Sequence, residues 1–400
     1  MDKDVYFHKT VTFRTGKQQL EFRTSQELFS SYDIDIGTRF LMRSIIEGGY
    51  QPKRILDMGC GYGALGLTLK KLYPESTVHT VDRDALAIEY SRQNAEMNGL
   101  DDVDIYGSLG YDDVKRDDFD LIASNIPGKA GEAIIAYLLR EARYCLTPGG
   151  IAAIVIVAAL EATAAKILEE TPGCEIISQR NRSGHVICHY RFRESDLPKP
   201  ESNALERGIY DRDNIKIRLK DIEFRMKTAY GLPEFDSLSE GSKMVITALK
   251  NIQRQDIKRA IVLNPGQGHV VVALWKTIKP KTIELVDRDL LALRYAQLNL
   301  IQNECPPEKL YILHQVGMER KNKEKVDLIA GVLRDEGKEA IFLTVRQAIE
   351  QLSTEGTIIV AGGSTAITRL VTQIEEERRL HIKIRERRRG QSLLVLEARG

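Results

Sequence analysis

The sequence predicts an α/β protein made of two tandem, doubly wound domains, each a mostly parallel sheet with an antiparallel pair at one edge. Three observations carry this expectation. The 400-residue chain repeats itself at offsets of 205 to 207 residues. Within each repeat, short β-branched runs alternate with amphipathic helical stretches, as βαβ units require. Late in each repeat, two strands follow one another without a helix between them.

The repeat is legible block by block. RILDMGCGYG from Arg54 answers RAIVLNPGQG from Arg259, and VDRDALAIEYSRQN from Val81 answers VDRDLLALRYAQLN from Val286. FDLIAS at Phe119 answers VDLIAG at Val326, and TPGGIAAIV at Thr147 answers TEGTIIVAG at Thr354. Chance similarity does not hold register across four blocks, so the chain is a duplication of about 200 residues per copy. The lead-ins also echo, LEFRTSQELFSSYDIDIGTRFL at Leu20 with IEFRMKTAYGLPEFDSLSEGSKMV at Ile222. The proline-bearing, charge-alternating stretch RESDLPKPESNALERG reads as a connection. Expected boundaries are therefore residues 1–195, a linker over 196–208, and residues 209–400.

In the first copy RILDM, STVHTVD, FDLIAS and GIAAIVIV read as strands buried on both faces. Asp84 to Asn98 and Gly131 to Leu146 have helical periodicity. In the latter, Ile134, Ile135, Leu138, Leu139, Ala142, Cys145 and Leu146 line one face. The segments around Glu175–Arg180 and His185–Phe192 form the edge pair.

Composition narrows the class. Apolar residues at 42% and charged residues at 29% suit a globular chain. The longest apolar run, Ile151 to Leu160, falls well short of the ~20 residues of a membrane-spanning helix, and no secretory leader pattern opens the chain. The five cysteines are scattered, without a C-x-x-C. That pattern argues against a zinc site or a disulfide framework and for reduced thiols in the cytoplasm. Residues 1–200 carry 24 basic and 29 acidic side chains, which leaves 34 of 58 and 28 of 57 for the remainder. The second half is thus the basic one, as for a domain that meets an anion.

The first strand ends in DMGCGYG, with Asp57, Gly59, Gly61 and Gly63. A glycine turn from strand to helix admits a ligand close to the backbone and offers helix-start amides to its anionic groups. The second strand ends at Asp82, a carboxylate able to accept both hydroxyls of a ribose, with Arg83 beside it. Together these imply a nucleoside-bearing cofactor and leave NAD and S-adenosylmethionine open. The fourth strand then runs into Asn125-Ile126-Pro127.

In that order the three motifs resemble the class I S-adenosylmethionine methyltransferases, whose fold is Rossmann-like. The N-I-P form is similar to the tetrapeptide of amino-methylating members. FSSYDIDIGTRFLM, from Phe29 to Met42, looks like the lead-in of the small-domain methyltransferase group. A tandem chain with one working and one decayed copy resembles the ribosomal RNA guanine-N2 methyltransferases. The resemblance implies that Asp57 and the Gly59, Gly61, Gly63 loop hold the methionine end of S-adenosylmethionine. It implies that Asp82 and Arg83 hold the ribose side, and that Ser108 and Leu109 border the adenine. Asn125 then lies against both cofactor and acceptor. It also implies an RNA partner, ribosomal RNA or a ribosomal subunit, with methyl transfer to an exocyclic base amine such as guanine N2.

Such an amine is a poor nucleophile because its lone pair is delocalised into the ring. The Asn125 side-chain oxygen and the Ile126 carbonyl are the expected acceptors for its two hydrogens, and Pro127 stiffens the loop. No metal is expected. The aromatic residue usual after the proline is replaced by Gly128, which leaves Tyr32, Tyr62 and Tyr111 as candidates for stacking on the base. A methyltransferase of protein glutamine or of a small amine stands as an alternative, as does a non-catalytic RNA-binding protein with two decayed copies.

In the second copy Gly266, Gly268 and Asp287 persist. Asn264 reads as the replacement of the first-strand acid, Val270 as that of the third glycine, and Val332-Leu333-Arg334 stands for N-I-P. This copy is expected not to catalyse. Its basic tail, with Arg378, Arg379, Lys383, Arg385, Arg387, Arg388 and Arg389, is expected to grip RNA through phosphates.

Overall fold

A computed structural model describes residues 4–193, 198–219, 222–252, 256–319, 324–374 and 380–399. The chain divides into two units, Met1–Tyr210 and Asp211–Gly400.

The first unit opens with a hairpin that the sequence reading left as a lead-in, β1 (Phe7–Thr15) and β2 (Gln18–Ser25). Strict alternation explains it: Val11, Phe13, Leu20 and Phe22 are buried while their neighbours face outward. Gly16, at φ +56°, makes the turn. Then follow α1 (Ile36–Glu47), β3 (Arg54–Met58), α2 (Ala64–Leu72), β4 (Thr77–Asp82), α3 (Ala85–Met97) and β5 (Val103–Gly107). The second half runs β6 (Phe119–Asn125), α4 (Glu132–Glu141), β7 (Leu146–Val157), α5 (Glu161–Glu169), β8 (Cys174–Arg182) and β9 (His185–Phe192).

Seven strands form one sheet in the order β5-β4-β3-β6-β7-β9-β8. The first five are parallel, and β9 pairs antiparallel with both β7 and β8. Helices α1, α2 and α3 cover one face. Helices α4 and α5 cover the other over a core of Leu56, Ile122, Ile135, Leu139, Ile154 and Ile167. Chain order reverses between β3 and β6, so the crevice of the topological switch point opens at the carboxyl ends of these strands.

The second unit repeats the plan: hairpin β10 (Asp211–Leu219) and β11 (Ile222–Ala229), α6 (Glu240–Lys250), β12 (Arg259–Leu263), α7 (His269–Thr277), β13 (Thr282–Asp287), α8 (Leu290–Gln302) and β14 (Leu310–His314). It closes with β15 (Val326–Val332), α9 (Lys338–Gln351), β16 (Leu352–Gly363), α10 (Ser364–Ile374), β17 (Leu380–Arg388) and β18 (Gln391–Ala398). Its sheet order is β14-β13-β12-β15-β16-β18-β17.

Superposing the two plans corrects the reading of the decayed motif. β3 and β12 coincide residue for residue from Arg54 and Arg259, so Val262, not Asn264, stands where Asp57 does. Asn264 occupies the place of Gly59 and keeps its left-handed backbone at φ +48°. Gly66 is matched by Val271 rather than Val270.

The stretch expected as a linker is largely built into the first unit. Asp112 accepts hydrogen bonds from the amides of Ala204 and Leu205, Arg207 is paired with Glu141 at 2.6 Å, and Ala204 and Tyr210 are buried. Ala204 and Tyr210 bury apolar surface that a free linker would leave in water. Residues 196–197 of this stretch, and Arg378 and Arg379 of the expected basic tail, lie outside the described residues.

Candidate active site

The glycine loop follows β3 directly. The amides of Gly59 and Cys60 both donate to the Val81 carbonyl, at 2.9 and 3.0 Å, which pins the loop to the end of β4. Gly59, Gly61 and Gly63 have φ of +78°, +55° and +88°, a region costly for residues with a Cβ. A Cβ at Gly63 would strike Ser91 Oγ at 2.6 Å, so this glycine serves packing. At Gly59 and Gly61 a Cβ would meet nothing within 4 Å. These two present bare backbone to open space, a cradle suited to a ligand that approaches closely.

Two carboxylates frame this cradle. Asp57 is buried in β3, and its Oδ2 accepts the Gly66 amide at 2.7 Å. Gly66 is needed there, because a Cβ would lie 2.4 Å from Thr80 and 2.9 Å from the Asp57 carboxylate. Burial pushes the Asp57 carboxyl up to about 7, against the Gly66 hydrogen bond, and the nearby Asp82 charge adds to the rise. Asp82, at the tip of β4, accepts the Gly61 amide on Oδ2 and the Asp84 amide on Oδ1, both at 2.9 Å. Burial raises its pKa as well, opposed by these amides and by Arg83. Asp84 is the residue that caps α3, through the Leu86 amide, so Asp82 is not spent on capping the helix.

Ser108 and Leu109 follow β5 and are buried. The Ser108 amide donates to the Asp82 carbonyl, its hydroxyl to the Gly110 carbonyl, and the Leu109 amide to Asp113. Their polar groups hold the loop in shape, and the Leu109 side chain is buried.

Asn125 ends β6, next to β3 in the sheet, with Ser124 in register with Met58. Both hydrogens of its amide are taken: Nδ2 donates to Asp35 Oδ2 and to Thr38 Oγ1, each at 3.0 Å. Only the oxygen, an acceptor, is left to face an incoming group. Asp35 is also the N-cap of α1, accepting the Thr38 amide at 3.1 Å. The lead-in D-x-G is therefore part of the site, a role the sequence reading did not assign to Asp35 or Thr38. The Ile126 side chain is buried and its amide is bound to the Val155 carbonyl, while Pro127 and Gly128 are exposed.

Of the three stacking candidates, two are committed elsewhere. Tyr62 is buried under the lead-in, its hydroxyl against the Ser30 and Asp33 carbonyls, and Tyr111 donates to the Leu138 carbonyl. Tyr32 stays 67% exposed, joined by Phe29 at 72%, which the sequence reading had not singled out. Both lie on the segment just before Asp35, whose Ser30 and Asp33 carbonyls accept the Tyr62 hydroxyl of the glycine loop.

In the second unit the matching crevice is filled from within. Arg334, standing where Pro127 does, forms an ion pair with Asp287, the counterpart of Asp82. Arg288 and Glu336 extend this network at 3.1 Å, and Asn264 Nδ2 ties across to the Val332 carbonyl. Among the described residues, no cluster of three His, Cys, Asp or Glu side chains could hold a metal, and no helix is long and apolar enough to cross a membrane.

Comparison with known proteins agrees with this geometry. The methyltransferase small domain family matches residues 19–184. YbxB of Bacillus subtilis, an uncharacterised protein, is 34% identical over 153 residues, 37% of this chain and 74% of its own. Ribosomal RNA large subunit methyltransferase G of Shewanella woodyi is 33% identical over 138 residues, 32% of either chain. Ribosomal RNA small subunit methyltransferase C of Hahella chejuensis is 35% identical over 135 residues, 33% of this chain and 38% of its own. The chain thus matches about a third of the length of these two curated relatives. Among solved structures, a Thermus thermophilus 16S rRNA N2 methyltransferase (RsmC), in complex with AdoMet and guanosine, aligns over 98% of this chain and 99% of its own. Its TM-score is 0.67 at 15% identity, a likeness of the whole tandem fold. With the crevice of the first unit lying inside the matched segment, the chain belongs to the methyltransferase small domain family.

Proposed function

We propose that the first unit is an S-adenosylmethionine-dependent methyltransferase whose acceptor is an exocyclic base amine of RNA, guanine N2 of ribosomal RNA being the best supported choice. The observation that carries the reading is the Asn125 amide, locked by Asp35 and Thr38 so that only an acceptor oxygen remains. A general base would abstract a proton; a fixed amide oxygen orients an amine instead. That is what a delocalised nitrogen needs.

The residues present fit the cofactor. Gly59 and Gly61 leave the room for it, Asp57 and Arg83 flank it, and Asp82 offers a carboxylate to the ribose hydroxyls. Ser108 and Leu109 give an apolar wall for the adenine. When bound, S-adenosylmethionine supplies an electrophilic methyl group on a sulfonium. The chain's own task is alignment: the Asn125 oxygen and the Ile126 carbonyl take the two amine hydrogens and turn the lone pair out of conjugation. Fixed dipoles of this kind stabilise the charge that develops on the nitrogen without reorganising. Phe29, the more exposed, is the face for a base, beside Tyr32, whose ring also meets His8 at 4.9 Å and Lys9 at 5.5 Å. The partner in this reading is ribosomal RNA or a ribosomal subunit in the cytoplasm, in keeping with five free cysteines.

The test separates binding from chemistry. Asp82→Ala is expected to abolish S-adenosylmethionine binding by calorimetry. Asn125→Ala is expected to leave that binding within about twofold while methyl transfer to RNA falls by 10²-fold or more, the order seen when one fixed transition-state donor is removed. Loss of both properties in Asn125→Ala refutes the assigned role. Incorporation of labelled methyl into protein rather than RNA refutes the acceptor.

A further inference from the structure

From a cavity in the second unit, we infer that this unit holds a pocket for one unpaired nucleotide of the RNA. The inference rests on the RNA reading above and adds a site to it. The cavity has a volume of about 350 Å³ and opens at the carboxyl end of β16, between the first turns of α9 and α10. Its lining includes Asp335, Lys338, Ile341, Phe342, Arg369 and Leu370. Ile341 and Leu370 are buried and form an apolar floor, and Phe342, half-buried, supplies an aromatic wall. Lys338, Arg369 and Asp335 are exposed at the rim.

Sequence divergence between the copies explains why the cavity exists here. In the first unit Val157, at the end of β7, stands at the equivalent place; its side chain would lie 3.3 Å from a Cβ on Gly128. By strand register the counterpart of Val157 is Gly363, where a Cβ would meet nothing within 4 Å. Gly337 is also open, but so is its counterpart Gly131 in the first unit, so the difference between the copies lies at Gly363. The second copy has therefore closed its nucleoside crevice with Arg334 and opened a space one strand further along.

The chemistry of that space selects the ligand. A flat ring can lie on Phe342 over the apolar floor, with Asp335 as acceptor for a base amine or ring N–H. Lys338 lies 3.7 Å from Glu339, and Arg369 is at hand for a phosphate. The turn of β17 and β18 reaches the cavity through Gly390, and it carries Arg387, Arg388 and Arg389. Arg388 and Arg389 lie 3.8 and 3.5 Å from Glu240, while Arg387 is exposed. An aromatic wall with a cationic rim is how single-stranded nucleic acid is held without reading sequence. A double helix would keep its bases stacked and out of reach.

The experiment uses the full chain and a fluorescein-labelled single-stranded RNA carrying 4-thiouridine. Photocrosslinks are expected in the peptides around Phe342 and Arg369, and excess inorganic phosphate at constant ionic strength should not remove them. Phe342→Leu is expected to weaken RNA binding about tenfold with an unchanged salt slope, since it removes stacking and keeps apolar bulk. The Lys338→Glu, Arg369→Glu pair is expected to weaken binding and also lower the salt slope by about one phosphate's worth or more. S-adenosylmethionine affinity should match the parent in each variant. Crosslinks confined to other segments, or parental RNA affinity in both variants, overturn the pocket even if methyl transfer to RNA is intact. A parent that crosslinks through Phe342 yet binds no S-adenosylmethionine overturns the proposed function and leaves the pocket standing.

Discussion

Two side chains define what the site can do, and each makes a prediction. Asp35, in the lead-in before α1, fixes the Asn125 amide and caps α1. Asp35→Ala frees Asn125 to rotate, so turnover is expected to fall at least tenfold with cofactor affinity nearly unchanged. The lost cap costs about 1 kcal/mol of stability. Asp35→Asn keeps an acceptor for both bonds and should recover most of the turnover; failure to recover would make the residue merely structural. Asp57 sets a pH dependence. Its folded pKa, about 7, lies above the ordinary carboxylate value, so the folded state holds a proton that the unfolded chain has already released. Its contribution is present in full below about pH 4 and is lost as pH rises through about 7. Thermal unfolding of the first unit followed from pH 4.5 to 8 should therefore show a decline that Asp57→Asn flattens, since asparagine can still accept the Gly66 amide and carries no charge.

At the level of elements, the repeated asparagines of α3 and α8 do the joining. Asn94 is fully buried; its Oδ1 accepts the Arg23 amide at 2.7 Å, and its Nδ2 donates to the carbonyls of Arg23 and Tyr62. One side chain thereby ties the β1–β2 hairpin to the glycine loop. Asn299 does the same for Lys227 and Gln267. Asn94→Ala strands buried backbone groups and is expected to cost about 2–3 kcal/mol in urea unfolding. It should also weaken S-adenosylmethionine binding by loosening Tyr62 and its flanking glycines. Parental stability would show that the hairpin is held by its apolar face alone. Strands and the edge pair were legible in sequence because buried parallel strands are continuous apolar runs; the helix expected over Gly131 to Leu146 instead ends at Glu141, and Leu146 already opens β7. The hairpins were less legible: their alternation is short, and the duplicated lead-ins drew attention to motif rather than to period. The positions of Asp57, Asp82 and Asn125 in the fold were legible because Asp82 and Asn125 end strands and Asp57 lies one residue before the end of β3. Asp35 was not, since its effect depends on a contact 90 residues away in the chain. The error over Val262 and Asn264 arose from matching residue character instead of strand position.

Across the whole chain, the duplication has produced two units with the same sheet and opposite fates at the switch point. In the first, Gly59 and Gly61 leave space before Asp82, whose carboxylate accepts the amides of Gly61 and Asp84, with Arg83 beside it. In the second, Arg334 brings a guanidinium onto Asp287, so a ribose would have to displace an ion pair whose carboxylate is buried and whose guanidinium is part-exposed. Breaking the pair costs free energy that offsets what two ribose hydrogen bonds return. Val271 in the place of Gly66 adds bulk where the first unit needs none, and Val262 removes the second carboxylate. Calorimetry on the full chain should accordingly give one S-adenosylmethionine per chain. Asp82→Ala is expected to reduce that to none, Asp287→Ala to leave it at one, and Arg334→Ala to leave it at one as well, because emptying the crevice does not rebuild the glycine cradle. A stoichiometry of two for the parent, or one surviving site in Asp82→Ala, would mean that the second unit binds the cofactor despite Arg334.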